Sequence, residues 1–326
     1  MARHAGADAR WRGATACSRR RGDAADGLVM PSLLRTALSV LRAPANELGF
    51  ALRSCLRWSR GAVALADEPK DGLFAFLDAA DRRVAMRRED ELRHRYDLHA
   101  LRRCSTRHCY LSSLARLDAL DLLSAGRTPP VGPDGRLRAI DVGSGDFHYA
   151  TALQRWLAHH GGTAPRPVVL RGIELDGHGV YRDGRSRADH ARAHATLAGG
   201  EGGEVQFQVA DFARRSWPEQ DAVTMFFPFL SAYACLQWGA PLSRLAPRRL
   251  LRRAIATVRP EGWLLVVNQT EREFTRMQAL LADEPVELVA RASFATRLVP
   301  WAERTSDQVG TLWRRRSPVR SARSGG

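Results

Sequence analysis

The sequence predicts an α/β protein, a doubly wound and mostly parallel sheet preceded by an N-terminal helical region. Three observations predict it. From residue 137 onward, short apolar runs alternate with helix-like segments. The runs are apolar on nearly every residue, as strands covered on both faces are, rather than on every second one. The first run ends in a glycine turn that opens a helix, in the stretch "RAIDVGSGDFHYATAL" at 138–153.

Taken in order, residues 1–30 are rich in Arg, Ala and Gly with little periodicity, and predict a disordered leader; Met30 is an alternative start. "SRRRGDAADGLVM" only faintly resembles an export signal, because Arg35 interrupts the apolar run that should follow. Residues 31–130 predict a helical region. In "PSLLRTALSVLR", Leu33, Leu34, Ala37, Leu38 and Leu41 fall at helical spacing. "ANELGFALRSCLRW" continues with Leu48, Leu52 and Leu56, and "YLSSLARLDALDLL" closes the region. The Pro- and Gly-rich "AGRTPPVGPDG" (125–135) then marks a boundary. Strands are expected at "LRAIDV", "PVVLRGIEL", "EVQFQVADF", "DAVTMFFPF" and "GWLLVVNQT", with helices between them, and two more at "VELVARASF" and "DQVGTLWRRR". Residues 131–316 form this domain, and 317–326 read as a disordered basic tail.

The 326 residues carry a formal charge of +15, of which eight charges lie in the two ends, 1–29 and 314–326. Arg bias with a single lysine, Lys70, reads as solvated tails of a GC-rich coding sequence before it reads as nucleic-acid binding. The five cysteines are scattered and predict reduced thiols and a cytoplasmic protein. Cys104 and Cys109 lie near His94, His99 and His108, but their spacing suits no metal, and none is expected. No run of about 18 apolar residues predicts a membrane span.

The glycine turn asks for a ligand. Gly143 and Gly145 let one lie against bare backbone, and the next helix presents its N-terminal N–H groups. A dinucleotide fingerprint wants a glycine where His148 stands. Asp141, just before the turn, suits an ammonium group better than a pyrophosphate.

Residues 131–316 resemble class I S-adenosylmethionine-dependent methyltransferases. "IDVGSG" resembles their first motif, "RGIELD" the acidic end of their second strand, "VADF" their third element and "RPEGWLLVV" their turn into strand five. The resemblance implies a seven-stranded, Rossmann-like methyltransferase sheet ending in a sixth strand and a reversed seventh, which a dehydrogenase would not have. It implies S-adenosyl-L-methionine as cofactor, held by Asp141 (ammonium), Gly143, Ser144 and Gly145 (methionine part), Glu174 (ribose hydroxyls, with Asp176 as competitor), and Asp211 and Phe212 (adenine). Phe147 stands where the family has its third small residue.

The resemblance places the acceptor at the end of strand four. "FFPFLSAYACLQW" lacks the Asn/Asp-Pro-Pro-Tyr/Phe signature of amino-group methylation. Phe227, Phe229 and Tyr233 are expected to line an aromatic pocket, with Asn268 and Gln269 at its mouth, while Phe226 and its neighbours equally suit a core. Tyr96, His99 and His108 are the candidates for reaching the cleft from the helical region. No catalytic base is identified. A small-molecule acceptor is favoured, with RNA the alternative. A catalytically silent RNA-binding relative is disfavoured by the intact cofactor motifs, and aminopropyl transfer by the absence of acids near strand four.

Overall fold

The structure, a computed structural model, describes residues 32–161, 164–200 and 204–317. The expected leader and nearly all of the expected basic tail lie outside them.

The helical region comprises α1 (Ser32–Leu56), α2 (Ala79–Arg95), α3 (His99–Arg103) and α4 (Arg107–Leu123). The first of these runs as one helix through Pro44. Asp78 and Thr106 cap α2 and α4 by accepting from backbone N–H groups of the first turn.

The α/β part follows as β1 (Leu137–Val142), α5 (Ala150–His159), β2 (Val168–Glu174), α6 (Arg187–Gly199), β3 (Glu204–Val209), β4 (Gln220–Phe226), α7 (Ala232–Gln237), α8 (Pro247–Thr257), β5 (Val258–Asn268), α9 (Glu271–Leu281), β6 (Val286–Ser293) and β7 (Val309–Arg315). The seven strands lie in the order β3-β2-β1-β4-β5-β7-β6. The first five are parallel, and β7 runs antiparallel between β5 and β6. The closing reversed strand expected from the resemblance is present. Chain order reverses between β1 and β4, so the ligand-binding crevice of an open α/β sheet falls at their C-terminal ends.

The sheet is apolar on both faces because each is covered. On one, Leu137, Ala139, Leu170, Phe226, Leu265 and Val267 share a core with α4, α5 and the interior of the helical region. On the other, Ile140, Val142, Val223, Met225, Leu264 and Val266 pack on α8 and α9. The helical region and the sheet therefore share one continuous core. Among the described residues no helix is long and apolar enough to cross a membrane.

Candidate functional site

The turn after β1 is built for close approach. Gly143 and Gly145 take φ of 76° and 60°, where a side chain is strained. No atom lies within 4 Å of where a Cβ would stand on either, so both face open space. Phe147, in the third position, also holds a left-handed φ of 54°. Its ring is fully buried against Gly172 of β2, where an added Cβ would come within 2.8 Å of it. Where the resemblance implies a third small residue, this chain has a phenylalanine in a left-handed conformation, accommodated by a glycine in the neighbouring strand.

The turn's N–H groups are committed internally. Gly143 and Ser144 N–H both donate to Ile173 O (2.8 and 3.2 Å), and Gly145 N–H donates to Glu174 Oε2 (2.9 Å). The turn offers proximity to a ligand rather than free donors. Ser144 is buried, and its Oγ has no hydrogen-bond partner among the described residues.

Glu174 ends β2 beside the turn. Its Oε1 accepts from Asp176 N–H (2.9 Å) and pairs with Arg187 Nη1 at 3.5 Å. Each carboxylate oxygen has two lone pairs, and with Gly145 N–H on Oε2 one lone pair, on Oε2, is left for a hydroxyl donor. Burial works against the charge on Arg187, but Glu174, Tyr181 and Asp176 together outweigh it and raise the arginine's pKa. Asp176 is held elsewhere: Arg53 of α1 grips it bidentately at 3.0 and 2.8 Å.

Asp141 is placed differently from expectation. It is fully buried and accepts from Tyr149 Oη (2.7 Å) and Thr224 Oγ1 (2.6 Å). Burial pushes its pKa up to about 6, against those two bonds and the nearby charge of Arg116. Contact with an ammonium group would require Tyr149 to swing away. Asp211 is likewise engaged, by Arg244 and Arg214 at 3.3 Å each. Phe212 is buried and stacked on Trp217 with centroids 5.5 Å apart, so that ring face is unavailable to an adenine.

On the acceptor side, Phe227 is half-buried at a φ of 60° and donates its N–H to Val267 O (2.7 Å). Phe229 lies 6.5 Å from Trp238, centroid to centroid, and Tyr233 is exposed. Asn268 is fully buried, with neither amide atom hydrogen-bonded among the described residues. Gln269 is half-buried, and its N–H donates to Glu273.

The helical region reaches the site through residues that the sequence did not single out. Tyr96 is buried on Asp121 at 2.6 Å, His99 sits against His94, and His108 lies against Trp301. None of the three joins the turn. Arg116 and Ser112 of α4 do. The Arg116 guanidinium lies 4.3 Å from the Tyr149 ring centre and 5.7 Å from that of Phe226, and forms no ion pair among the described residues. Its Nη1 contacts His148 Nε2 at 3.3 Å, and Ser112 Oγ lies 3.2 Å from the same nitrogen. Asp146 Oδ1 holds His148 Nδ1 at 2.7 Å. A guanidinium only donates, so that contact puts a lone pair on Nε2 and the imidazole proton on Nδ1. Burial alone would raise the Asp146 pKa; His148, His194 and Arg187 together hold it well below the carboxylate range. Nothing in the sequence marks this cluster, because Ser112 and Arg116 meet His148 from more than 30 positions away.

No family model and no curated protein matches the chain. Among solved structures it is similar to TrmN from Thermus thermophilus, with 20% identity over 62% of this chain and 48% of that one, at a TM-score of 0.41. The chain thus spans about half the length of that protein. It is also similar to magnesium protoporphyrin IX methyltransferase (ChlM) from Synechocystis PCC 6803 with bound SAM, with 14% identity over 65% and 81% of the two chains and a TM-score of 0.41. A third is the N-methyltransferase NodS from Bradyrhizobium japonicum WM9 in complex with S-adenosyl-l-homocysteine, with 12% identity over 64% and 88% and a TM-score of 0.41. The strand order and the reversed seventh strand are those of the sheet that the sequence resemblance to class I S-adenosylmethionine-dependent methyltransferases implies.

Proposed function

We propose that this protein transfers the methyl group of S-adenosyl-L-methionine to a small-molecule acceptor. The observation that supports this most is the open-faced turn at the switch point, where Gly143 and Gly145 leave room that any side chain would fill. When bound, the cofactor supplies an electrophilic methyl on a sulfonium that leaves as a neutral thioether.

In this reading Glu174 accepts from a ribose hydroxyl with its remaining lone pair, while Arg187 and two backbone N–H groups fix its orientation. Ser144 Oγ gains the partner it lacks. Arg116 is the cation available to the carboxylate of the methionine part. Asp141 acts from behind, holding Tyr149 and Thr224 in place. His148, oriented by Asp146, keeps its Nε2 on Arg116 and Ser112 and so steadies that arginine. Phe227, Phe229 and Tyr233 flank the acceptor, with Asn268 and Gln269 supplying polar groups. Asp211 and Phe212 border the adenine. Alignment of acceptor, methyl and sulfur supplies most of the acceleration.

Calorimetric titration with S-adenosylhomocysteine tests this. Micromolar binding is expected, abolished by Gly143→Val and weakened about tenfold to a hundredfold by Glu174→Ala. A folded protein that binds neither S-adenosylhomocysteine nor S-adenosylmethionine would overturn the reading. RNA is the alternative acceptor, motivated by the charge of +15. Filter binding across salt concentrations decides between them. Sequence-selective binding that survives near-physiological salt without residues 1–29 and 317–326 would favour RNA. The exposed free thiols of Cys55 and Cys104 support a cytoplasmic setting.

A further inference from the structure

Helix α1 is amphipathic in the inverted sense. Its polar residues face the protein. Asn46 donates to the carbonyls of Leu236 and Ala240 (3.2 Å each), Glu47 accepts from Ser243 N–H and Oγ (2.8 and 2.7 Å), and Arg53 grips Asp176. Only Phe50 is buried among its described side chains. The outward face carries Leu41, Leu48, Leu52 and Leu56, between 53% and 75% exposed, at spacings of seven, four and four. Pro44, Ala45, Ala51 and Cys55 between them are exposed too, so the stripe holds no charge. A helix of a water-facing surface buries such a stripe rather than presenting it.

The neighbourhood extends the patch. Trp58, just past the end of α1, is half exposed, with its indole N–H on Gly184 O at 2.8 Å. Tyr233 and Trp238, on and just after α7, are also about half exposed, and Asn46 ties α1 to that helix. Amphipathic aromatics beside an apolar stripe suit the headgroup layer of a bilayer.

We propose that α1 is a surface-lying docking helix that seats this protein on an anionic membrane. Charge complementarity selects this occupant over a second copy of the chain. Arg42 and Arg57 belong to or adjoin α1, Arg53 is taken by Asp176, and the helix's only acid, Glu47, is turned inward onto Ser243. Two copies paired along the stripe would bring arginine toward arginine with no acid between them, on chains of +15 each. Anionic headgroups give the leucines an apolar layer and the arginines their counter-charge in one surface.

Co-sedimentation of the full chain with vesicles tests this. The probes are phosphatidylcholine vesicles with and without about 30% phosphatidylglycerol, at near-physiological salt. Binding to the anionic vesicles is expected, with a blue shift of tryptophan emission. The double variant Leu48→Ser, Leu52→Ser keeps every charge and alters only exposed side chains, and its circular dichroism melt reports that it is folded. It should bind at least about tenfold more weakly. Equal binding by the variant would mean that the basic ends carry the attraction, and would overturn the proposal. So would failure of the native chain to bind. So would a micromolar dimer in analytical ultracentrifugation that the variant abolishes.

Discussion

Helices α1 and α4 both carry leucines at helical spacing and use them oppositely. In α4, Leu111, Leu114, Leu117, Leu120 and Leu123 are buried in the core shared with the sheet, and its polar residues Ser112 and Arg116 reach the candidate site. In α1 the leucines face out and hydrogen bonds and an ion pair do the fastening. Helical periodicity tells which residues share a face, but not toward what that face is turned. That is decided by partners far away in the chain: the floor of the sheet for α4, and the carbonyls after α7 together with Asp176 for α1.

The contrast predicts a ladder of effects. Leu117→Ala in α4 should cost about 2–5 kcal/mol by leaving a cavity in a close-packed core, read as a large fall in melting temperature. A change below about 1 kcal/mol would mean that α4 is no more integral than α1.

Next in size is a pH effect beneath α4, where Arg116 covers Tyr149 and Tyr149 covers Asp141. The folded pKa of Asp141, about 6, lies above the unfolded value near 4, so between those values the native state holds a proton that the unfolded chain has lost. Stability from this group is therefore full below about pH 4, declines up to about pH 6 and is level above it. The span is about 3 kcal/mol at most. Melting temperature followed across pH should show the decline in the native chain and lose it in Asp141→Asn; an identical profile in both would remove burial as the governing influence.

Arg53→Ala should cost only about 1 kcal/mol, as expected for a partly exposed ion pair. Its more telling signature is local: amide exchange should quicken in α1 and stay unchanged in α4. Uniform quickening would show that the two helices open as one unit. Smallest of all, Leu48→Ala should move stability by less than about 0.5 kcal/mol, because the side chain already sits in water. A larger loss in thermal melts would mean that something covers the stripe in the free protein.

The same physics decides what was legible in the sequence. Strands buried on both faces announce themselves as apolar runs, as β1, β4 and β5 do, whereas the edge strands β3 and β6 alternate more buried and more exposed positions and are legible from their place in the strand–helix order. The glycine turn was legible because Gly143 and Gly145 satisfy a backbone requirement that few residues meet. Glu174 was legible from its place at a strand end. The seal over Asp141 was not, because Tyr149 and Thr224 arrive from a helix entrance and from another strand. Nor was the stacking of Phe212 on Trp217, or the cluster of Ser112, Arg116, Asp146 and His148. Contacts of that kind leave no period and no spacing to read.

The pairing of Phe147 with Gly172 makes the two positions hostages of one another in evolution. A lineage that restored glycine at 147 alone would relieve a left-handed backbone worth about 1 kcal/mol and open a cavity costing about 3–5. One that first placed alanine at 172 would drive a methyl into the phenyl ring. Either single step passes through a less stable protein, and only the two together relieve the backbone and refill the cavity. The exchange behaves as a ratchet, and descendants of this chain should keep both residues or lose both.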